Sequence, residues 1–204
     1  MKNTKYSMAF TTGALYYQES IMLAELYCEK KEWDAVRAVV MEQNLLQART
    51  MSTAKKVYNE ITSRLKLLTD EEMSLLCSGP RQEQLLLLWL AVCKRFRFIR
   101  EFAVEVLREK FLTMHYNLNQ SDYHSFFDAK AMINEELEQL SPVTLQKIRQ
   151  VIFKMMREAE LISKNNVIQS AYMSPQLVGT IKHNSRRFLD IYPVLEGNIK
   201  EWLT

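Results

Sequence analysis

The chain has 204 residues and a formal net charge of +3 at neutral pH, room for one large domain or two small ones around a real core. Only four glycines and four prolines interrupt it, and Leu, Met, Glu, Lys and Gln abound, so a mostly helical protein is expected. The closest glycines, Gly179 and Gly197, are 18 residues apart, which excludes glycine-rich phosphate loops, and Ser78 in CSGP is no nucleophile elbow.

Cys28, Cys77 and Cys93 have no CxxC pairing, and His115, His124 and His183 lack metal-site spacing. Reduced, packed cysteines are expected, with no metal, no cofactor and no enzymatic centre. The longest apolar run, residues 85–93, spans nine residues, under half of the roughly 20 needed to cross a bilayer. Tyr16, Tyr17, Gln18 and Glu19 interrupt the N-terminal stretch before a signal core forms, so cytoplasm is the default.

Periodicity predicts helices over about 15–30, 32–42 and 52–68. The third starts near Thr50, Ser52 and Thr53, buries Ala54, Val57, Ile61, Leu65 and Leu68, and shows Lys55, Lys56, Asn59, Ser63 and Lys66 outward. The link 43–50 contains Leu45 and Leu46, which suit the gap between two crossing helices. That makes a helix-turn-helix candidate, a DNA-contact surface or plain packing. Thr69 to Glu72 then reads as a capped start to a short helix ending at Ser78, Gly79 and Pro80.

A long helix is expected from Arg81 to about Leu112. Its first half is apolar nearly all round and belongs in the centre of the fold. Its second half interleaves Lys94, Arg95, Arg97 and Arg100 with Phe96, Phe98 and Phe102. Arginines beside aromatics can stack on bases, but phenylalanines in the core with arginines solvated or paired to Glu101 and Glu105 is the favoured reading. Residues 117–120 look like a break between a helical domain, 1–116, and a winged-helix-like domain with a helical tail, 117–204. An acidic helix over 122–140 would support the latter.

Residues 141–168 are the most informative stretch. Ser141 is an N-cap candidate and Pro142 suits the first helical position. Leu145, Ile148, Val151, Ile152, Met155, Met156 and Ala159 form one stripe, and Gln146, Gln150, Lys154 and Arg157 lie opposite, flanked by Lys147 and Arg149. Two short apolar runs, Leu161–Ile162 and Val167–Ile168, then surround a turn of Ser163, Lys164, Asn165 and Asn166, as a small β-hairpin would. The expected fold is therefore all-α, with helix-turn-helix elements and a winged-helix-like C-terminal half. A polar helix face with glutamines and cations can read base edges and phosphates, and Lys164 at a hairpin tip can reach the adjacent backbone.

Charge distribution agrees. Residues 141–204 hold nine basic against five acidic side chains and residues 93–115 six against three, whereas 116–140 hold one against five. Positive blocks so arranged steer a polyanion despite the small net sum.

The segments WDAVRAVVMEQNLLQARTMSTAKKVYNEITSRL (33–65), LLLLWLAVCKRFRFIREFAVEVLREKF (85–111) and LSPVTLQKIRQVIFKMMREAELI (140–162) resemble BrxA, the small A component of BREX bacteriophage-exclusion systems. The resemblance implies an all-helical protein with helix-turn-helix elements, similar in part to the antitermination factor NusB. It also implies DNA binding within a multi-protein defence system whose adenine methyltransferase is another subunit, and it carries over no catalytic residue. The leading reading is a non-enzymatic component that binds double-stranded DNA and other BREX subunits, with no membrane and no small-molecule substrate. Lys147, Arg149, Lys164, Lys55 and Lys56 would contact phosphates, and Gln146, Gln150 and Lys154 bases. The alternatives are a protein adaptor using the same faces and an RNA-binding factor.

Overall fold

The computed structural model of the chain describes residues 5–10 and 13–201. Helix α1 (Tyr17–Lys30) is bounded by Tyr16 and Lys31, both left-handed at φ 56° and 58°. Helix α2 (Trp33–Glu42) leads through 43–50, where Asn44 and Gln47 also take positive φ and Leu45 and Leu46 pack against the core. Helix α3 (Met51–Leu65) starts where the Thr50 hydroxyl accepts from the Thr53 amide at 3.2 Å. Helix α4 (Asp70–Ser78) starts on a reciprocal capping box: Thr69 accepts from the Glu72 amide, and Glu72 accepts from the Thr69 amide.

Helix α5 (Arg81–Arg95) is the centre. Every residue from Glu83 to Cys93 is buried, and α1, α3, α4 and α10 pack around it. The indole of Trp89 donates to the Ile191 carbonyl at 3.2 Å, and Tyr192 donates to Leu86 O at 2.8 Å, tying the C-terminal segment to this helix. The expected continuous helix to Leu112 breaks at Phe96, which turns extended at φ −117°, ψ 98° and is followed by α6 (Arg97–Phe102), a π-helical turn (Ala103–Arg108) and α7 (Glu109–Leu112). The break seats the Phe96 ring 4.9 Å from Phe10. Phe96, Phe98 and Phe102 are all core residues, and Arg97 pairs with Glu101 at 2.9 Å, as the favoured sequence reading has it.

The expected acidic helix over 122–140 is also two pieces, α8 (Gln120–Ala131) and α9 (Glu135–Glu138), because the buried Asn134 turns the chain and donates to the Lys130 carbonyl at 2.7 Å. Helix α10 (Pro142–Glu158) follows, then α11 (Pro175–Ser185), a 3-10 helix (Arg186–Ile191) and α12 (Glu196–Glu201).

The winged-helix-like C-terminal half does not form. Among the described residues there is no strand and no sheet, only two isolated bridges, Ile162 with Ile168 and Asn117 with Val167. Each apolar run is two residues long, too short for a ladder, and the second run is shared: Ile168 N donates to Tyr116 O at 2.7 Å, and Leu118 N to Asn166 O at 2.9 Å. The all-α part of the expectation stands. No helix among the described residues is long and apolar enough to cross a membrane.

Candidate nucleic-acid interface

Helix α10 is oriented by its own sequence. Ser141 Oγ accepts from the Thr144 amide at 3.3 Å with Pro142 at the first helical position, and Ile148, Val151, Ile152, Phe153, Met155 and Met156 are buried. That burial leaves Gln146, Lys147, Gln150 and Lys154 exposed on the other side. From 141 to 157 there is no carboxylate; the first is Glu158, 3.7 Å from Lys154, whose side chain remains 53% exposed.

The turn after α10 is fixed to it. Arg157 donates to Asn166 Oδ1 at 2.8 Å, Ser163 N donates to Val167 O at 2.8 Å, and Asn166 takes φ 59°. Lys164 is exposed in this turn, so it extends the basic face past the C-terminal end of α10.

Two of the expected contact residues lie on the flank. Arg149 is half-buried, with Nη1 3.0 Å from His124 Nε2 of α8, and with Gln146 it lines a cleft between α8 and α10. Lys55 and Lys56 are exposed on α3, inside a second carboxylate-free stretch, 43–59. Lys56 shares an open groove with Asn59 and Arg95, the latter brought beside α3 from the end of α5 by the fold alone.

Helices α3 and α10 are joined through residues 13–16. Arg64 of α3 donates to Ala14 O at 2.7 Å and also pairs with Glu60, and Leu15 N donates to Glu158 Oε2 of α10 at 2.6 Å. Gly13 leaves little room there: a Cβ would stand 2.8 Å from Met155 Cε and 3.1 Å from Arg64 Nη2, so those flexible side-chain ends would have to shift. Burial lowers the pKa of Arg64, with Glu60 opposing the shift. Further cations, Lys182, Arg186 and Arg187, are exposed on and after α11.

Two cysteines expected to be separate core residues meet instead. Cys28 of α1 and Cys77 of α4 are both half-buried and in side-chain contact, while Cys93 is fully buried. No group of three or more His, Cys, Asp or Glu among the described residues is placed to hold a metal ion.

These features define an all-helical protein wrapped around one buried central helix, with cation-bearing faces on α3 and α10. The chain belongs to the BrxA family, whose profile matches residues 4–185. It is 22% identical over 187 residues to the BREX protein BrxA of Escherichia coli O9:H4 (strain HS), covering 91% of this chain and 87% of that protein. It is 27% identical over 129 residues to the BREX protein BrxA of Bacillus cereus (strain H3081.97), covering 63% and 64%. A crystal structure of an uncharacterized protein from Magnetospirillum magneticum shares the fold, with a TM-score of 0.78 at 18% identity over 94% of this chain and 99% of that one.

Proposed function

We propose that the chain is a non-enzymatic component of a BREX bacteriophage-exclusion system that binds double-stranded DNA. Its relatives carry the name BREX protein BrxA. The observation that carries the DNA-binding reading is the outer face of α10, where Lys147, Gln150 and Lys154 are exposed together, no carboxylate precedes Glu158, and Lys164 extends the line. Lysines of this kind neutralise phosphates, and glutamines beside them hydrogen-bond base edges. Gln146 and Arg149 stand at the edge of this surface, and Lys55 and Lys56 on α3 provide a second basic face reached through the α2–α3 pair.

Fluorescence anisotropy with labelled duplex DNA and an RNA hairpin tests the reading. Duplex binding that weakens steeply with salt and outcompetes the hairpin is expected. No duplex binding at low salt contradicts it, and preference for the hairpin transfers the surface to RNA. A second reading, a contact surface for other defence subunits, is favoured by the exposed apolar side chains of Met132, Ile133 and Val143, which are 87%, 67% and 62% exposed around α9.

A further inference from the structure

We propose that the cleft between α8 and α10 is a binding site for a singly charged organic carboxylate carried on an apolar, ring-sized body. The cleft encloses about 380 Å³, within the range of small-molecule pockets. Its walls are apolar through Phe127 of α8 and Leu145 of α10, and its polar groups are Tyr123, His124, Gln146, Arg149 and, on the rim, Asp128.

The hydroxyl of Tyr123 is the informative atom. Tyr123 is 2% exposed, and its oxygen is buried without a hydrogen-bond partner in the described protein. Buried polar atoms are nearly always satisfied, so an unsatisfied hydroxyl on a side chain that lines a cleft points to a ligand atom as its partner. Burial holds its pKa well above the ordinary value, so the phenol stays protonated and offers a donor.

Arg149 supplies the charge. It is the cation that acts on the Tyr123 hydroxyl, and its Nη1 stands 3.0 Å from His124 Nε2. A guanidinium only donates, so His124 Nε2 accepts, and the contact orients the guanidinium while leaving N–H groups for a ligand. A buried O–H and an oriented guanidinium in one cleft ask for an anionic oxygen acceptor, and Phe127 and Leu145 ask for an apolar body. A single negative charge fits because, among the described residues, Arg149 is the one arginine or lysine lining the cleft and Asp128 on its rim opposes further negative charge. The cleft shares Gln146 and Arg149 with the edge of the α10 face, but carboxylate binding is measured without DNA and does not depend on DNA binding.

Isothermal titration calorimetry on the full chain tests it with 3-phenylpropionate, the neutral isostere 3-phenylpropanamide and the dianion phenyl phosphate. Saturable binding of the carboxylate is expected, with the amide and the phosphate weaker by about tenfold or more. Tyr123→Phe keeps the ring and removes an unsatisfied hydroxyl, so its melting temperature should stay level or rise while carboxylate affinity falls about tenfold. Arg149→Gln should lose more, and Lys182→Ala, at an exposed position of α11, nothing. Peptides ending in a free or an amidated C-terminal Phe separate the sources. Tighter binding of the free-acid peptide than of phenylpropionate assigns the site to a protein C-terminus, and the reverse to a free acid. No saturable binding of either up to about 10 mM, equal affinity for the amide, or unchanged affinity in Tyr123→Phe overturns the proposal.

Discussion

Replacing Glu72 by Ala should remove a large part of the stability of this protein. The Glu72 side chain is 1% exposed and makes three kinds of contact. Its Oε2 receives Lys94 Nζ of α5 at 2.5 Å and the Thr69 amide at 2.9 Å, and its Oε1 receives Asn184 Nδ2 of α11 at 3.3 Å. One carboxylate thus joins α4, α5 and α11. Its loss leaves Lys94, only 10% exposed, with the Leu67 carbonyl at 3.2 Å as its remaining hydrogen-bond partner. Breaking a buried ion pair from one side costs about 3–5 kcal/mol, and half of a capping box adds about 1 kcal/mol. Against a total near 5–15 kcal/mol, a loss of about 4–6 kcal/mol should lower the melting temperature by roughly 8–24 °C. Urea unfolding followed by circular dichroism measures it. Glu72→Gln with Lys94→Met should recover much of the loss, because an apolar replacement removes the stranded charge. A loss below about 1 kcal/mol in Glu72→Ala with an unchanged m-value would refute the assignment of this joint.

Acid should loosen the N-terminal segment. Burial pushes Glu101 up, but hydrogen bonds from Lys130 and Tyr6 and the charges of Lys130 and Arg97 outweigh it and hold its carboxyl below the usual range. A depressed folded pKa contributes stability that is fully present above the unfolded value of about 4.3 and is lost as pH falls through the folded value. Melting temperature should therefore drop below about pH 4.5, and less so in Glu101→Gln; identical acid profiles for the two proteins would contradict this. Thiol labelling should be slow at pH 7.5, since burial, helped by the contact with Cys28, pushes the Cys77 thiol up to about 12 and full burial holds Cys93 well above its ordinary value. Iodoacetamide with mass spectrometry should find Cys93 modified only in denaturant, and native-state alkylation there would count against its burial.

The sequence was most readable where the chemistry is local. Thr50, Thr69 with Glu72, and Ser141 with Pro142 are caps written within three residues, and each starts the helix expected of it. The stripe from Ile148 to Met156 is likewise buried, because helical spacing alone sorts those side chains to one side. What stayed hidden depends on distant partners. The break at Phe96 carries no glycine or proline, and its ring lies 4.9 Å from Phe10, 86 residues away in sequence. After α10 the expected turn forms, with Asn166 at positive φ, but the second apolar run pairs with 116–118 as much as with the first. The α8–α10 cleft needed Arg149 to meet His124 across two helices, a contact no periodicity announces.

Whether the exposed face of α10 meets DNA is decided by the Lys147→Ala, Lys154→Ala double variant. Both side chains are exposed, so folding stability should move by no more than about 0.5 kcal/mol per site, whereas Ile152→Ala, fully buried, should cost roughly 2–5 kcal/mol. Two phosphate contacts removed should make the slope of log affinity against log salt shallower by about 2 units and weaken binding at every salt concentration. A folded double variant that keeps the wild-type affinity and slope would contradict the account, and loss of binding in Lys55→Ala, Lys56→Ala alone would place the contact on α3.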